Sequence, residues 1–233
     1  MIDHIGARGA SAALAAGAVG LLAGAGGARA ATVPAKVAVT QPCYVFVSKA
    51  APPVTITGSG FPAASQVDIS DHLGLDDTAT TDANGNFTLT ERAPNPFLVD
   101  PGQKKDVITV TGFDTAGNEY RGTASTFFSA FAAEFSGSKP KPGLQALQER
   151  IKWSFSGFPV GSTVWGHYTF GGKLVASQAF GKATAPCGVL KVKRRAFPGR
   201  PGHRRYKLQL DTRKKYSKKT EPRFRAPFGL TAL

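Results

Sequence analysis

The sequence predicts an all-β protein built from two antiparallel β-sandwiches in tandem. An internal repeat is the first indication, since residues 59–67 and 156–164 both read S-G-F-P-x-x-S-x-V and lie 97 residues apart. The second is a series of short alternating apolar runs, separated by Gly, Pro, Asn and Asp at intervals of about eight to twelve residues. These runs lack helical periodicity, and they therefore indicate the strands of sandwiches.

Each copy of the repeat follows a strand-like run, with Val54 and Ile56 before the first copy and Trp153 and Phe155 before the second. A period near one hundred residues is the size of an immunoglobulin-like sandwich. Chance is the alternative, because Gly-Phe-Pro is common at turns. Six matched positions with matched flanks favour duplication, and we expect one unit over 31–130 and a second over 131–233.

The strand pattern continues through both units. We expect strands at Val54–Thr57, Gln66–Ile69, Asn86–Thr90, Asp106–Thr111, Thr123–Phe131, Ile151–Phe155, Thr163–Phe170, Leu174–Phe180, Val189–Val192, Tyr206–Leu210 and near Phe224. The Gly-, Pro- and Ser-rich stretch Phe135–Gly143 is the best linker or domain-entry candidate. Residues Leu144–Arg150 are the one place where a helical turn is expected.

Residues 1–30 have the pattern of a signal peptide. Arg8 is followed by an uncharged Ala/Gly-rich run, and Ala28-Arg29-Ala30 places small residues where a signal peptidase reads them. A retained membrane anchor is the alternative, but Ala and Gly contribute little transfer free energy. We expect cleavage before Ala31 and a mature chain that has no transmembrane segment and is secreted or associated with the cell envelope.

The charge is concentrated in the last quarter of the chain. The whole sequence has 29 Lys and Arg residues against 15 Asp and Glu, a net charge of +14. Residues 31–181 contain 11 basic and 12 acidic residues, whereas residues 182–233 contain 16 and 2. Such an asymmetry bears on partners and solubility rather than on fold.

Several turns and strands resemble known bacterial modules. In the first unit, residues 58–62 (GSGFP) and 82–88 (DANGNFT) are similar to the turns of bacterial immunoglobulin-like modules. In the second, residues 153–158, 166–168, 181–183, 186–188 and 207–211 resemble a C-terminal module of secreted actinobacterial proteins. The resemblance implies a fold and an extracellular location, and it supplies no activity, cofactor or catalytic residue.

Candidate catalytic and metal sites are weak. No G-x-S-x-G, H-E-x-x-H, Cys-x-x-Cys or phosphate loop is present, so we expect neither an enzyme nor a cofactor. His167 lies on an alternating strand, where a half-buried structural imidazole is the favoured interpretation. The acidic residues of 71–82 suit either a Ca²⁺ site or a solvated connection, and their spacing favours the connection.

The two cysteines, Cys43 and Cys187, fall in different units at positions that are not equivalent in the repeat. In an exported chain a disulfide is the default expectation. Such a bond would hold one unit against the other, and free or intermolecular thiols are the alternative.

The basic residues of the second unit are the candidate binding site. In 189–195 and 205–210, apolar and cationic residues alternate, so strands there would present their cations to solvent. The predicted anion-binding residues are Lys191, Lys193, Arg195, Arg204, Arg205, Lys207, Arg213, Lys214 and Lys215, and the Lys218-Lys219 run is expected to flank them. We expect a non-enzymatic module for an anionic wall polymer or polysaccharide, without sequence-specific nucleic-acid recognition. The alternative is a structural spacer or accessory subunit of an envelope assembly whose charge keeps it soluble.

Overall fold

The computed structural model describes residues 31–47, 51–93, 101–136, 150–199 and 205–229. The expected signal peptide, Arg204 and residues 144–149 of the expected helical turn lie outside these ranges. The described residues contain no helix long and apolar enough to cross a membrane. Their strands are β1 (Thr32–Pro34), β2 (Lys36–Val39), β3 (Cys43–Phe46), β4 (Pro53–Ser59), β5 (Gln66–Ser70), β6 (Asp76–Thr80), β7 (Phe87–Arg92), β8 (Lys104–Phe113), β9 (Glu119–Ala130), β10 (Ala132–Ser136), β11 (Arg150–Ser156), β12 (Thr163–Phe170), β13 (Lys173–Lys182), β14 (Leu190–Arg195), β15 (Arg205–Asp211) and β16 (Phe224–Gly229).

These strands form two sandwiches with the same connectivity, except that the first has two additional strands, β1 and β3, which pair in parallel with β9. In the first, a β2-β4-β7 sheet packs on a sheet ordered β1-β9-β8-β5-β6, with β3 also paired to β9. In the second, β10-β11-β14 packs on β13-β12-β15-β16. Both units therefore show the A-B-E and C-F-G division of an immunoglobulin-like sandwich. The predicted fold class is confirmed.

Alternation along the strands builds each core. In β5, Val67 and Ile69 are fully buried between exposed neighbours. In β11, Ile151, Trp153 and Phe155 point inward while the intervening side chains point to the other side of the sheet. The second core is richer in aromatic rings, and its central Trp153 ring packs on four other rings at centroid distances of 4.7–6.0 Å. Burial of these rings provides most of the hydrophobic stabilisation of the second unit.

The repeated motif forms the same bend in both units, between β4 and β5 and between β11 and β12. Gly60 and Gly157 have the same φ of +80°, a conformation that costs other residues about 1–2 kcal/mol. In each copy the serine hydroxyl donates to the proline carbonyl three residues earlier, at 2.7 and 2.6 Å. The phenylalanine of each copy is buried in its own core. The predicted duplication is therefore visible in local geometry.

The two units contact each other through a short junction. Only Phe131 separates β9 from β10, and its ring lies 4.9 Å from the ring of Phe158. Cys43 of β3 forms a disulfide with Cys187, with a Cα–Cα distance of 5.4 Å. The Gly157 N–H donates to the carbonyl of Cys187 at 2.9 Å, which ties the second bend to the disulfide. The predicted disulfide between the units is confirmed, and such bonds persist in oxidising, extracytoplasmic environments.

Two sequence interpretations differ from the structure. Phe135 and Ser136, expected at the start of a linker, belong to β10 and pair with Trp153 and Lys152. The acidic stretch Asp76–Thr80, expected as a solvated connection, is the edge strand β6 paired with β5. An edge strand needs one partner only and keeps its charged side chains in water, so charge did not prevent strand formation there.

The junction predicts an unequal response to two glycine substitutions in the second unit. A Cβ at Gly157 would lie 2.7 Å from Val45 Cγ1 and 2.8 Å from Phe131 Cα, whereas a Cβ at Gly161, at a φ of +81°, meets nothing within 4 Å. Gly157→Ala should lower the free energy of unfolding of the second unit by about 1–3 kcal/mol more than Gly161→Ala. Urea unfolding followed by tryptophan fluorescence measures this, because both tryptophans lie in the second unit. Equal costs would show that the junction is not packed as described.

Candidate anion-binding surfaces

The structure divides the predicted basic residues between two surfaces of the second unit. The segments 190–195 and 205–211 are strands, as expected, and their predicted cations are exposed. However, β14 belongs to the sheet with β10 and β11, whereas β15 lies between β12 and β16 in the opposing sheet. The outward side chains of two packed sheets point in opposite directions. The predicted cations of β14 and β15 therefore lie on two surfaces of the unit rather than on one.

The first surface, which we call the strand face, lies on the outer side of β11 and β14. The antiparallel register places Lys152 opposite Lys193 and Arg150 opposite Arg195. Lys191 completes the row on β14, opposite Ser154. Sequence reasoning identified the β14 cations but missed those of β11, although Lys152 alternates with buried residues in a predicted strand.

The five cations of the strand face are not neutralised by ion pairs within the described residues. On the neighbouring strand β10, Glu134 lies opposite Ser154 rather than opposite a cation. Like charges placed directly opposite each other on a sheet are destabilising, so these pairs cost the unit stability.

A cavity of about 480 Å³ adjoins one end of the strand face. It is lined by the side chains of Arg150, Arg194 and Arg195, together with Gln178 and the turn at Pro198. The guanidinium of Arg194 donates to the carbonyl of Lys193 at 3.0 Å. The guanidinium of Arg150 donates to the same carbonyl at 3.3 Å, so two guanidinium groups meet where β11 begins and β14 ends. Arg195 also lines this cavity, which therefore extends the positive charge of the strand face.

The second surface is a smaller cavity of about 250 Å³ on the outer side of the β13-β12-β15-β16 sheet, called here the β15 cavity. Three cations line it: Lys207 of β15, Arg225 of β16, and Lys218 of the connection between these strands. The sequence predicted Lys207 in the binding site and Lys218 only at its flank, and it gave no indication of Arg225. The alternation of residues along the strands does not show how the connection between β15 and β16 folds back over the sheet.

A buried polar network lies beneath the β15 cavity. Asp211 is fully buried, and its two oxygens accept from the N–H of Arg213 at 2.8 Å and from Gln209 Nε2 at 2.7 Å. Gln209 Nε2 also donates to the carbonyl of Ser217 at 2.8 Å. Gln209 Oε1 in turn accepts from Arg225 Nε at 3.0 Å. The network fixes both the connection and the guanidinium.

His167 belongs to the same network and has a structural role. Its ring is fully buried, with Nδ1 2.8 Å from Ser177 Oγ and Nε2 2.9 Å from the carbonyl of Arg213. A carbonyl only accepts, so Nε2 carries a hydrogen and donates it to the carbonyl of Arg213. Asp211 Oδ1 lies 3.4 Å from Nε2, which brings Ser, His and Asp together as in some hydrolases. Because the imidazole has no exposed surface, the trio anchors the connection rather than presenting a nucleophile.

The other predicted cations of the described residues do not line either cavity. Arg205 is exposed at the start of β15, and Arg213, Lys214 and Lys215 are exposed on the connection that follows this strand. Arg204 lies outside the described residues. The structure therefore gives no common site to the full predicted set.

Comparison with known proteins yields structural similarity alone. No family model matches the chain, and no curated protein matches it. The chain is similar to a tetra-tandem repeat from the extending region of a large adhesion protein, with 17% identity, a TM-score of 0.35, and coverage of 85% of this chain and 49% of that one. It is also similar to a 1.5-MDa bacterial ice-binding adhesin, with 15% identity, a TM-score of 0.30, and coverage of 77% of this chain and 59% of that one. A third similar structure is the periplasmic chaperone SfaE, with 13% identity, a TM-score of 0.28, and coverage of 76% of this chain and 93% of that one.

The chain thus spans about half of the first adhesin chain and about three fifths of the second. At these identities and TM-scores the similarity carries no argument about ligand or activity. The resemblance to secreted actinobacterial proteins stays a prediction.

The acidic residues near Asp71 form turns and a carboxyl pair. Asp71 Oδ1 accepts the N–H groups of Leu73, Gly74 and Leu75 at 2.7–2.8 Å. Asp106 of β8 is 2% exposed, and its carboxyl group lies beside that of Asp71. Burial, together with the neighbouring Asp71, raises the pKa of Asp106 to about 6. Among the described residues, no group of three or more His, Cys, Asp or Glu is placed to hold a metal ion.

This pair predicts a pH-dependent stability of the first unit. The folded-state pKa of Asp106 lies above its ordinary value of 3.8, so folding favours the protonated carboxyl. The protonated Asp106 carboxyl contributes fully to the free energy of unfolding below about pH 4. This contribution is lost as the pH rises through 6, which lowers the free energy of unfolding by up to about 3 kcal/mol. Asp106→Asn should remove this loss, as measured by unfolding followed by circular dichroism between pH 4 and 7.5. A wild-type and a variant curve that fall in parallel would contradict the assignment.

Proposed function

We propose that the protein is an extracytoplasmic, non-enzymatic module that binds an anionic polymer along the strand face of its second unit. The observation that carries this proposal is the pair of like-charge rows, Lys152 opposite Lys193 and Arg150 opposite Arg195. A polyanion bound between these cations neutralises their charges and relieves the repulsion. The disulfide between the units supports exposure to an oxidising environment.

The spacing of the cations suits an extended polymer. Lys191, Lys193 and Arg195 occupy every second position of β14, which corresponds to a repeat of about 6.8 Å along the strand. The cations of β11 form a second row about 5 Å away. A chain lying along these strands contacts several cations at once without needing a deep pocket.

The chemistry of the strand face favours a wall polymer or an acidic polysaccharide over nucleic acid. Its outward residues on β11 and β14 are Arg, Lys and Ser, with no aromatic side chain among them. Proteins that bind single-stranded nucleic acid combine cations with aromatic platforms on which bases stack. Binding through cations alone follows the charge density of the polymer and not the identity of its bases.

The structural spacer is the second candidate, and the junction between the units favours it. A connection of one residue, Phe131, and a disulfide between Cys43 and Cys187 restrict the movement of one unit against the other. A spacer needs this rigidity but has no use for uncompensated cations opposite one another. Polymer binding therefore separates the two candidates.

Replacing Lys152, Lys191 and Lys193 by Gln in one variant tests the proposal. We expect wild-type protein to bind long-chain polyphosphate and heparin, but not uncharged dextran, with an affinity that falls steeply with salt. A plot of log affinity against log salt concentration has a negative slope, and in the variant this slope should be shallower by about 2–3. Each cation that contacts the polymer contributes about 0.7–0.9 to its steepness. Binding is measured by calorimetry at several salt concentrations.

The matched control replaces three exposed lysines of the first unit, Lys36, Lys104 and Lys105, by Gln. It lowers the net charge by the same amount and should leave the slope close to that of wild type. An equal decrease in both variants would show that net charge alone attracts the polymer. Absence of binding by wild type would favour the spacer.

A further inference from the structure

The geometry points to a second, separate site: the β15 cavity binds a single tetrahedral oxyanion, a phosphate or sulfate group. It lies on the sheet opposite the strand face and shares no residue with it. Lys207, Lys218 and Arg225 line it, together with the polar side chains of Thr169 and Gln209. No carboxylate lines the cavity.

The Arg225 guanidinium is held in place before any ligand arrives. Its Nε donates to Gln209 Oε1 at 3.0 Å, and one terminal nitrogen donates to the carbonyl of Lys218 at 2.8 Å. A guanidinium has five N–H groups, so three remain for a ligand. A surface arginine that serves solubility alone has no need of such fixation.

Two buried residues hold the support for Arg225. Both N–H groups of Gln209 are used, one by Asp211 Oδ2 and one by the carbonyl of Ser217. The amide oxygen of Gln209 is therefore fixed toward the cavity, where it orients the guanidinium. Asp211 lies behind Gln209 and offsets one of the three positive charges, which leaves the site with a net charge of about +2.

Two lysines complete the site. Their ammonium groups add positive charge, whereas the guanidinium supplies the oriented hydrogen-bond donors. Lys218 Nζ lies near the β12–β13 turn, 3.8 Å from where a Cβ of Gly172 would be, so a side chain at this glycine would narrow the cavity. Lys207 projects from the neighbouring strand. One guanidinium with free donors beside two ammonium groups suits a ligand with several oxygens and up to two negative charges. Phosphate and sulfate have this form, whereas a carboxylate has two oxygens and one charge.

Calorimetric titration of the oxidised full chain with inorganic phosphate, sodium sulfate, glucose 6-phosphate and glucose, at constant ionic strength in chloride, tests the site. We expect saturable 1:1 binding of the three anions and none of glucose. Tighter binding of glucose 6-phosphate than of phosphate would assign the site to an esterified group. Equal affinities would assign it to the free anion, and both results support the site.

The variants separate this site from general charge. Arg225→Gln should weaken phosphate binding at least about tenfold, since it removes charge-assisted hydrogen bonds. Lys219→Gln, which changes an exposed lysine outside the cavity, should change it less than twofold. Because Arg225 also contacts the buried network, Lys207→Gln/Lys218→Gln serves as a second variant that leaves Gln209 and Arg225 intact. It should also weaken binding at least about tenfold.

Independence from the strand face is tested in the same titration. Replacement of Lys152, Lys191 and Lys193 by Gln should leave phosphate binding unchanged. No saturable phosphate binding by wild type, or an equal loss in the Lys219 and Lys207/Lys218 variants, would overturn the site. Neither result depends on whether the strand face binds a polymer.

Discussion

The bend between β4 and β5, which is repeated between β11 and β12, is the constraint on which the rest of the structure depends. Glycine at a φ of +80° turns the chain from one sheet to the other, and the following phenylalanine fills the core under the bend. In the first unit, Gly60 has open space around it. In the second, the equivalent Gly157 is packed against Val45 and Phe131, and its N–H donates a hydrogen bond to the carbonyl of Cys187. One local motif thus forms the fold twice and, in its second copy, also forms the junction.

The two copies have diverged in charge rather than in architecture. The first unit, residues 31–130, contains 6 basic and 10 acidic residues, whereas the second, residues 131–233, contains 21 and 4. The two units nevertheless build similar sandwich cores. Outward positions of a sandwich tolerate such changes because they leave the core unaltered. The cations on β11 and β14 repel each other across the ladder, whereas those at the β15 cavity surround a guanidinium fixed by buried groups. The first arrangement suits a polymer and the second a single anionic group.

The local sequence predicted most of the fold but only part of the candidate sites. Period-2 alternation located the strands, and the repeat predicted two units, because both signals depend on neighbouring residues. The acidic edge strand β6 was not predicted, because its sequence DDTAT contains one apolar residue, Ala79, and so shows no apolar alternation. Long-range pairing was not predictable: nothing in residues 189–210 shows that β14 pairs with β11 while β15 pairs with β12. Consequently the predicted binding residues did not include Lys152 or Arg225, and Lys218 was expected only at the flank of the basic strands.

The central claim is that the like-charge rows of the strand face exist for an anion and are a cost to the free protein. Thermal unfolding of the second unit, followed by tryptophan fluorescence at low salt, tests this claim when wild type is compared with Lys152→Gln/Lys193→Gln. Without polymer, the variant should unfold at a higher temperature than wild type because repulsion is relieved. With long-chain polyphosphate, wild type should gain more stability than the variant and overtake it. A variant that is less stable without polymer, or a wild type that polyphosphate does not stabilise, would contradict the account.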